Sequence, residues 1–190
     1  MVIFLILAPY GAFATLMLFA SAAVSLFVSA AICLAVVGYD VFRGRSIKVL
    51  GAGSAILFAA LGCYVTLVDS SLAPSTVKLT VDAGVLAISL TSLAIRQPFT
   101  LQYALEAVDA ETAQLPGFLN ANYVITWAWT ACFMLMVLAN VLLIYLPGLP
   151  LWAEIAIAFA ARNTAVYFTK WYPGYHRAKF AAPATSLEAL

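Results

Sequence analysis

The sequence predicts an all-α membrane protein: a polytopic bundle of five or six transmembrane helices with a short amphipathic helix on the cytoplasmic side. Hydrophobic residues make up 65% of the 190 residues and charged residues only 9%, whereas about 25% of a typical soluble domain is charged. No charged side chain precedes Asp40, and similar apolar runs continue to Lys170. Such runs can cross a bilayer because a helix satisfies its own backbone hydrogen bonds.

Six apolar segments are candidate spans, since about 20 apolar residues are needed to cross a bilayer. One helix over residues 2–39 would be about 57 Å long, beyond the ~30 Å hydrocarbon core, so we expect a break near residues 20–22. The first segment either spans or forms a short re-entrant helix. All spans belong to one domain over residues 1–180, followed by a tail over 181–190. The candidate spans are 3–19, 22–41, 49–68, 77–95, 121–146 and 150–170.

Basic residues in the connections predict the orientation, because cytoplasmic loops are enriched in Lys and Arg. They follow spans two, four and six, and these three connections lie on one side of the membrane. We therefore expect a multi-pass protein of the bacterial inner membrane with a cytoplasmic C-terminus. The N-terminus is cytoplasmic if there are six spans and outside if there are five. The basic residues are Arg43, Arg45, Lys48, Arg96, Lys170, Arg177 and Lys179.

Residues 97–120 form the only long connection between predicted spans. Apolar residues alternate with acidic and amide residues between Pro98 and Pro116, which favours a short amphipathic helix at the membrane interface. One interpretation is a helix that caps the bundle without a partner. The other is a docking surface for another protein, with the candidate partner residues Pro98, Phe99, Gln102, Tyr103 and Glu106.

Polar side chains inside the predicted spans are candidate functional residues, because an ionisable group at the bilayer centre is unfavourable by roughly 2.5–3.5 kcal/mol on insertion scales. In span four, the polar residues from Asp82 to Arg96 recur at spacings that place them on one helix face. They could line a path together with polar residues of spans five and six. The candidate path residues are Asp82, Ser89, Ser92, Arg96, Asn122, Asn140, Glu154 and Arg162.

Arg162 is the most notable of these residues because it lies well inside the last predicted span. A structural interpretation is an arginine that snorkels to the interface or pairs with Asp40. The functional interpretation is a contact for an anion or a lipid headgroup in a cavity that faces the cytoplasm. Asp82 and Glu154 both lie in the outer half of the bilayer, so they could instead form a cation or proton site.

Motifs for catalysis, cofactors and metals are absent from the sequence. A single histidine, His176, excludes haem held by two histidines, and the chain has no H-E-x-x-H, Walker A or G-x-S-x-G pattern. Cys33, Cys63 and Cys132 form no C-x-x-C pair and are expected to be small buried hydrophobes. We therefore expect no enzymatic activity, no cofactor and no metal site. The net charge of +1 gives no reason to expect a nucleic-acid partner.

Several residues follow a known family pattern. A span ends in Ile-Arg-Gln-Pro at 95–98, an amphipathic stretch follows at 99–105, and the next span closes with Leu-Ala-Asn-Val at 138–141. With these residues, the segment 76–170 resembles the intracellular septation protein A family of small bacterial inner-membrane proteins linked to the cell envelope and division. The chain departs from the family at its C-terminus and in its richer apolar content. Further shared positions are Pro116, Asn120, Asn122, Trp127 and Trp129.

The resemblance implies an envelope-associated membrane protein that binds division or cell-wall synthesis partners, and it implies no catalytic residues. The preferred function at this level is therefore a non-enzymatic inner-membrane protein of envelope maintenance or division that acts through protein or lipid contacts. The alternative is a small-solute or ion transporter or channel whose path is lined by spans four to six. The expected partners are the lipid bilayer and either other membrane proteins or further copies of the chain.

Overall fold

The computed structural model describes residues 2–146 and 151–180, and all regular structure within these ranges is helical. Side chains at 2–5, 116, 151–155 and 176–180 lie outside the described set. The helices are α1 (Val2–Leu16), α2 (Ala22–Phe42), α3 (Val49–Leu67), α4 (Pro74–Ala94), α5 (Phe99–Ala104), α6 (Ala110–Ala113), α7 (Pro116–Tyr145) and α8 (Leu151–Phe180).

Four helices in the described part of the chain are long and apolar enough to cross a membrane: α2, α3, α4 and residues Gly117–Tyr145 of α7. They correspond to predicted spans two to five, so the all-helical, multi-pass membrane class is confirmed at this level. Apolar side chains point outward from them; Leu34 of α2, for example, is 61% exposed. An exposed apolar surface of this kind suits a lipid solvent, since no hydrophobic effect drives it inward there.

The break expected in the first apolar stretch is confirmed. Helix α1 ends at Leu16, and α2 begins after Ser21. The Ser21 hydroxyl accepts a hydrogen bond from the Val24 amide at 3.3 Å and so caps the first turn of α2. Pro9 lies within α1 without ending it. Helix α1 is classed among the shorter apolar helices rather than with the four long ones.

Apart from the short helices α5 and α6, the helices pack in the order α1, α2, α3, α4, α7, α8, each against its neighbour in this series. Aromatic rings join the first and third: Tyr10 and Phe13 of α1 lie 5.7 and 5.6 Å from Phe58 of α3 between ring centroids. Helices α3 and α4 approach closely at Gly84, where an added Cβ would lie 2.5 Å from Cδ1 of Leu57. A side chain larger than hydrogen does not fit there without movement of Leu57.

Helix α4 differs from predicted span 77–95 at both ends. It begins at Pro74, because proline is tolerated in the first turn of a helix. It ends at Ala94, and Arg96 adopts a positive φ of 58° in the turn before Pro98. The prediction that places Arg96 on the polar face of this helix is therefore wrong. Arg96 is exposed in the turn that follows the helix. The helix cannot readily continue through Gln97, because the residue directly before a proline is disfavoured in helical conformation.

The connection between α2 and α3, together with α5 and α6, lies at one end of the bundle, which we call the loop face. Where one amphipathic helix was expected over 97–120, the chain forms two short helices, α5 and α6. Asp109 caps α6 by accepting a hydrogen bond from the Thr112 amide at 2.7 Å. Helix α5 packs against α7 and so closes part of the loop face over the helices beneath it.

Candidate functional site

A cavity of about 1250 Å³ lies between α1, α4, α5, α7 and α8 and is partly open to its surroundings. Helices α1 and α8, the two ends of the packing series, lie on its two sides. It extends from Asp82 on α4 to Thr112 on α6 at the loop face. Its walls are mostly apolar, and the only charged side chains among the described lining residues are Asp82, Arg162 and Lys170.

Asp82 and Arg162 both lie deep in the bundle. Asp82 is eight residues from the start of α4, about 12 Å along the axis, and Arg162 is 11 residues from the start of α8, about 16 Å. The sequence placed Asp82 only about 7 Å inside its span, because it missed the first turn of α4. Both side chains therefore lie two to three turns inside their helices and away from the helix ends.

The Asp82 carboxylate is held in place by α7. Asn140 is buried, and its side-chain amide donates to Asp82 Oδ2 at 2.8 Å and to the Met136 carbonyl at 3.1 Å. Such a donor stabilises the carboxylate, because a hydrogen bond to a charged group is stronger than one between neutral groups. Asn140 does not line the cavity, but it fixes the position of a group that does.

Arg162 differs from Asp82 in its contacts. Within the described residues it forms no hydrogen bond and no ion pair, and its half-buried side chain lines the cavity. Pairing with Asp40, one of the interpretations drawn from the sequence, is absent because Asp40 binds Lys48 and Arg45 instead. A guanidinium carries five donors and stays charged, so its position favours a cavity that contains water or an anion.

One face of α8 carries the cationic side of the cavity. Arg162, Val166 and Lys170 are spaced four residues apart, so they lie in a row along the helix. Thr169 and Pro173 extend this face towards the loop face of the bundle. The row places one cation in the middle of the bundle and a second, exposed cation nearer the cavity's outer end.

Aromatic side chains form much of the adjacent wall. The Trp129 ring lies 5.7 Å from Phe133 on the same helix, and Phe133 lies 6.5 Å from Phe99 of α5, between ring centroids. The indole nitrogen of Trp129 donates to the Thr169 hydroxyl at 2.9 Å and so ties α7 to α8. Because its one polar atom is satisfied, Trp129 presents an apolar surface to the cavity.

The other predicted path residues have different positions. Ser89 bonds to the Thr130 hydroxyl at 2.7 Å, and Ser92 accepts from the Phe99 amide at 3.2 Å; both serines join helices and do not line the cavity. Asn122 lines the cavity and donates to the Phe118 carbonyl at 2.9 Å. The Glu154 side chain lies outside the described residues. The structure thus brings Asp82, Asn122 and Arg162 together around one cavity, with Asn140 behind Asp82.

A second polar group, which we call the loop-face cluster, comprises Asp40, Arg45, Lys48 and Glu106. Lys48 is only 4% exposed and binds Asp40 at 2.6 Å and Glu106 at 3.1 Å. Arg45 is more exposed, and its nitrogens lie 3.3 Å from Asp40 and 3.8 Å from Glu106. The cluster joins the α2–α3 connection to the segment that follows α5.

Two neighbours of the loop-face cluster strengthen this junction. Gln102 Oε1 accepts a hydrogen bond from the Val49 amide at 2.7 Å, which satisfies an open donor at the start of α3. The Lys48 ammonium lies 5.4 Å from the centroid of the Tyr103 ring. Burial raises the pKa of the Tyr103 hydroxyl, so this residue remains neutral where it lines the cavity.

The predicted partner residues are therefore engaged within the molecule. Pro98 and Phe99 are buried, Gln102 contacts α3, and Glu106 contacts Lys48. Sequence reasoning treated Lys48 as a basic loop residue and missed its burial. The available signal was the acidic Glu106 in the other connection on the same side of the bundle, because opposite charges near the ends of buried helices tend to pair.

The chain matches no family model, no curated protein and no solved structure. The resemblance to the septation protein family stays a prediction. In the part of the chain that the structure describes, no group of three or more His, Cys, Asp and Glu side chains could hold a metal ion.

Proposed function

We propose that this protein is a small-solute transporter or channel whose path includes the cavity between α1, α4, α7 and α8. The observation that carries the proposal is Arg162, a cation at mid-depth that faces this cavity without an ion-pair partner in the described residues. Ionisable groups inside a membrane that face a cavity typically mark solute or ion pathways. Asp82 on the opposing helix supplies the second polar contact of the path.

The proposed topology has six membrane-embedded helices in a bacterial inner membrane, with both chain ends and the loop face in the cytoplasm. Arg43, Arg45 and Arg96 all lie in connections of the loop face, as the enrichment of basic residues in cytoplasmic loops requires. Helix α8 is less apolar than the other long helices, and one of its faces lines the cavity. Helix α1, about 22 Å long at 15 residues, is accommodated by local thinning of the bilayer.

Cysteine labelling tests whether water reaches the cavity. In a background with Cys33, Cys63 and Cys132 replaced by alanine, Val166→Cys places a thiol on the cavity wall, and Leu34→Cys places one on the outer surface of α2. A membrane-impermeant thiol reagent is applied to inverted vesicles and to intact spheroplasts.

The proposal predicts that Val166→Cys reacts in inverted vesicles, where the loop face is outside, whereas Leu34→Cys does not react because lipid covers it. Thiolate formation, and therefore labelling, requires water. If the Val166→Cys thiol is unreactive from both sides while a thiol at the exposed Arg96 position reacts, the cavity is not a hydrated path and the transport function is rejected.

A second candidate function is the envelope or division protein that acts through contacts with other proteins. It is supported by an exposed apolar side chain on the loop face, that of Leu105, which is 48% exposed and does not line the cavity. A photo-crosslinking amino acid at Leu105 should give specific protein adducts in cells, and the same group at Leu34 should not. Identical adduct patterns at both positions would reject this candidate.

A further inference from the structure

We infer that the cavity binds an amphiphile with an anionic headgroup, which places its carboxylate or phosphate at Arg162 and its apolar chain along the aromatic wall. This inference rests on the proposed function, because it names the class of solute that the same cavity takes. It follows from three features of the wall: the charge, the apolar surface and the way in which the two are arranged.

The charge of the wall favours an anion. Arg162 and Lys170 are cationic, Asp82 is anionic, and the described lining contains no other charged side chain. Asp82 already receives a hydrogen bond from Asn140 at 2.8 Å, whereas Arg162 has no hydrogen-bond partner among the described residues. An arginine fork can bind a carboxylate or a phosphate through two parallel hydrogen bonds. The group with unused binding capacity is therefore the cation.

The remaining wall favours an apolar chain. Trp129, Phe133 and Met136 follow one another along α7, and Ile125 precedes them on the same face. A small hydrophilic anion would contact Arg162 but leave this apolar surface facing water, which is unfavourable. An apolar chain would cover it. The two demands are met together only by a molecule with both parts.

The arrangement also separates the two parts of the ligand. The cations lie on α8, and most of the aromatic side chains lie on α7 and α5. The bond between Trp129 and Thr169 holds these two walls together at 2.9 Å. A headgroup at Arg162 therefore has apolar surface beside it in the direction of the loop face, where Ala104, Ala107 and Val108 continue the lining.

Quenching of Trp129 fluorescence measures occupancy directly, because this ring lines the cavity. Replacing Trp127, Trp152 and Trp171 with phenylalanine leaves Trp129 as the only tryptophan. Protein in a non-ionic maltoside detergent is titrated with dibrominated stearate and, separately, with the dibrominated alcohol of the same chain. Bromine quenches on contact. We expect saturable quenching by the carboxylate and at least about tenfold weaker binding of the alcohol, since a hydrogen bond to a charged group is lost.

Three variants assign the effect to Arg162. Arg162→Gln should weaken stearate binding at least about tenfold and bring it close to that of the alcohol. Arg162→Lys should fall between the two, because it keeps the charge but loses the fork. Arg96→Gln, which removes an exposed arginine outside the cavity, should bind like the parent protein. Equal helicity by circular dichroism before titration shows that each variant is folded.

A second arm identifies the source of the headgroup. Brominated phosphatidylglycerol in mixed micelles replaces stearate in the same titration. Quenching by both, or by either one alone, supports the shared chemistry and distinguishes a membrane lipid from a free fatty acid. The inference is overturned if the alcohol binds as well as the carboxylate, or if Arg162→Gln leaves binding unchanged. If Val166→Cys is nonetheless labelled from the loop face, the proposed path survives and only the ligand class is rejected.

Discussion

Asn140 on α7 donates a hydrogen bond to the Asp82 carboxylate on α4 at 2.8 Å, and this bond joins the two helices behind the wall of the cavity. The pair is 58 residues apart in the chain. It illustrates how a polar side chain is accommodated at depth: a buried amide orients a carboxylate, and the carboxylate in turn faces the space that a solute would occupy.

Replacing Asn140 with alanine should destabilise the protein by about 1–3 kcal/mol, because the Asp82 carboxylate then loses a hydrogen bond from a buried amide. The double variant Asp82→Asn/Asn140→Ala should be less destabilised than the sum of the two single changes. Thermal unfolding in detergent measures each value. Asn163→Ala is the matched control, since this exposed amide bonds only to the Phe159 carbonyl of its own helix in the described residues. Strictly additive losses would contradict a coupling between Asp82 and Asn140.

Lys48→Met should lower the free energy of unfolding by about 2 kcal/mol. The change removes a nearly buried ammonium from two carboxylates, and the figure is below that of a fully buried ion pair because Asp40 and Glu106 are partly exposed. Arg45→Gln should cost less than about 1 kcal/mol, since Arg45 is 43% exposed at 3.3 and 3.8 Å from the same acids. Chemical denaturation with and without added salt compares the two. Equal losses would show that burial does not distinguish these cations.

Gly84→Ala should destabilise the α3–α4 contact by about 1–2 kcal/mol, because the added Cβ would lie 2.5 Å from Cδ1 and 3.1 Å from Cγ of Leu57. Movement of the Leu57 tip alone does not relieve both contacts. Gly38→Ala on α2 is the control: no atom lies within 4 Å of its Cβ position, so the change should be neutral or stabilising by up to about 1 kcal/mol. Melting temperatures of the two variants are compared in the same detergent. A Gly84→Ala protein as stable as the Gly38→Ala protein would refute the close approach of α3 and α4 at Gly84.

Gln102→Leu should release the start of α3 from the loop face. The Val49 amide loses its acceptor at 2.7 Å, which costs about 1 kcal/mol, so this amide should exchange its hydrogen faster. Hydrogen exchange followed by mass spectrometry reads out the peptide that contains Val49. Gln97→Leu, at an exposed position in the turn after α4, should leave that exchange rate unchanged. Faster exchange in both variants would mean that Gln102 has no specific role there.

Apolar patterning predicts the long helices well because each apolar run is bounded by polar connections. Predicted spans 22–41 and 49–68 match α2 and α3 to within one residue at each end. The helices that begin with proline, α4 and α7, start earlier than predicted. The first turn of α4 is polar, so hydropathy does not include it, whereas the first turn of α7 was assigned to the connection before it. In both helices, proline in the first turn is itself a signal of a helix start.

The cavity could not be predicted in the same way, because it depends on how helices distant in sequence are placed. Residues as far apart as Tyr10 and Arg162 share its wall. Periodicity indicated a polar face on α4, but Ser89 and Ser92 use their hydroxyls in helix contacts while Asp82 faces the cavity. Spacing alone does not distinguish a hydroxyl that joins helices from a carboxylate that lines a path.

The burial of Lys48 was missed for a related reason. One partner, Asp40, lies 8 residues before it in the chain. The other, Glu106, lies in the connection that follows α3 and α4. The positive-inside pattern treats every basic residue in a short loop alike. The packing of α5 against the bundle brings Glu106 to Lys48, which makes this loop cation part of the loop-face cluster.

An experimental structure in lipid nanodiscs, with an antibody fragment bound to add mass, tests the central claim most directly. The distance to measure is that from the Arg162 guanidinium to the nearest carboxylate. We predict a cavity between α1 and α8. Arg162 should face it, more than 4 Å from Asp82 and Asp40, with water or an anionic headgroup beside its guanidinium. Helices α1 and α8 packed together over a closed core, with Arg162 paired to either acid, would contradict it.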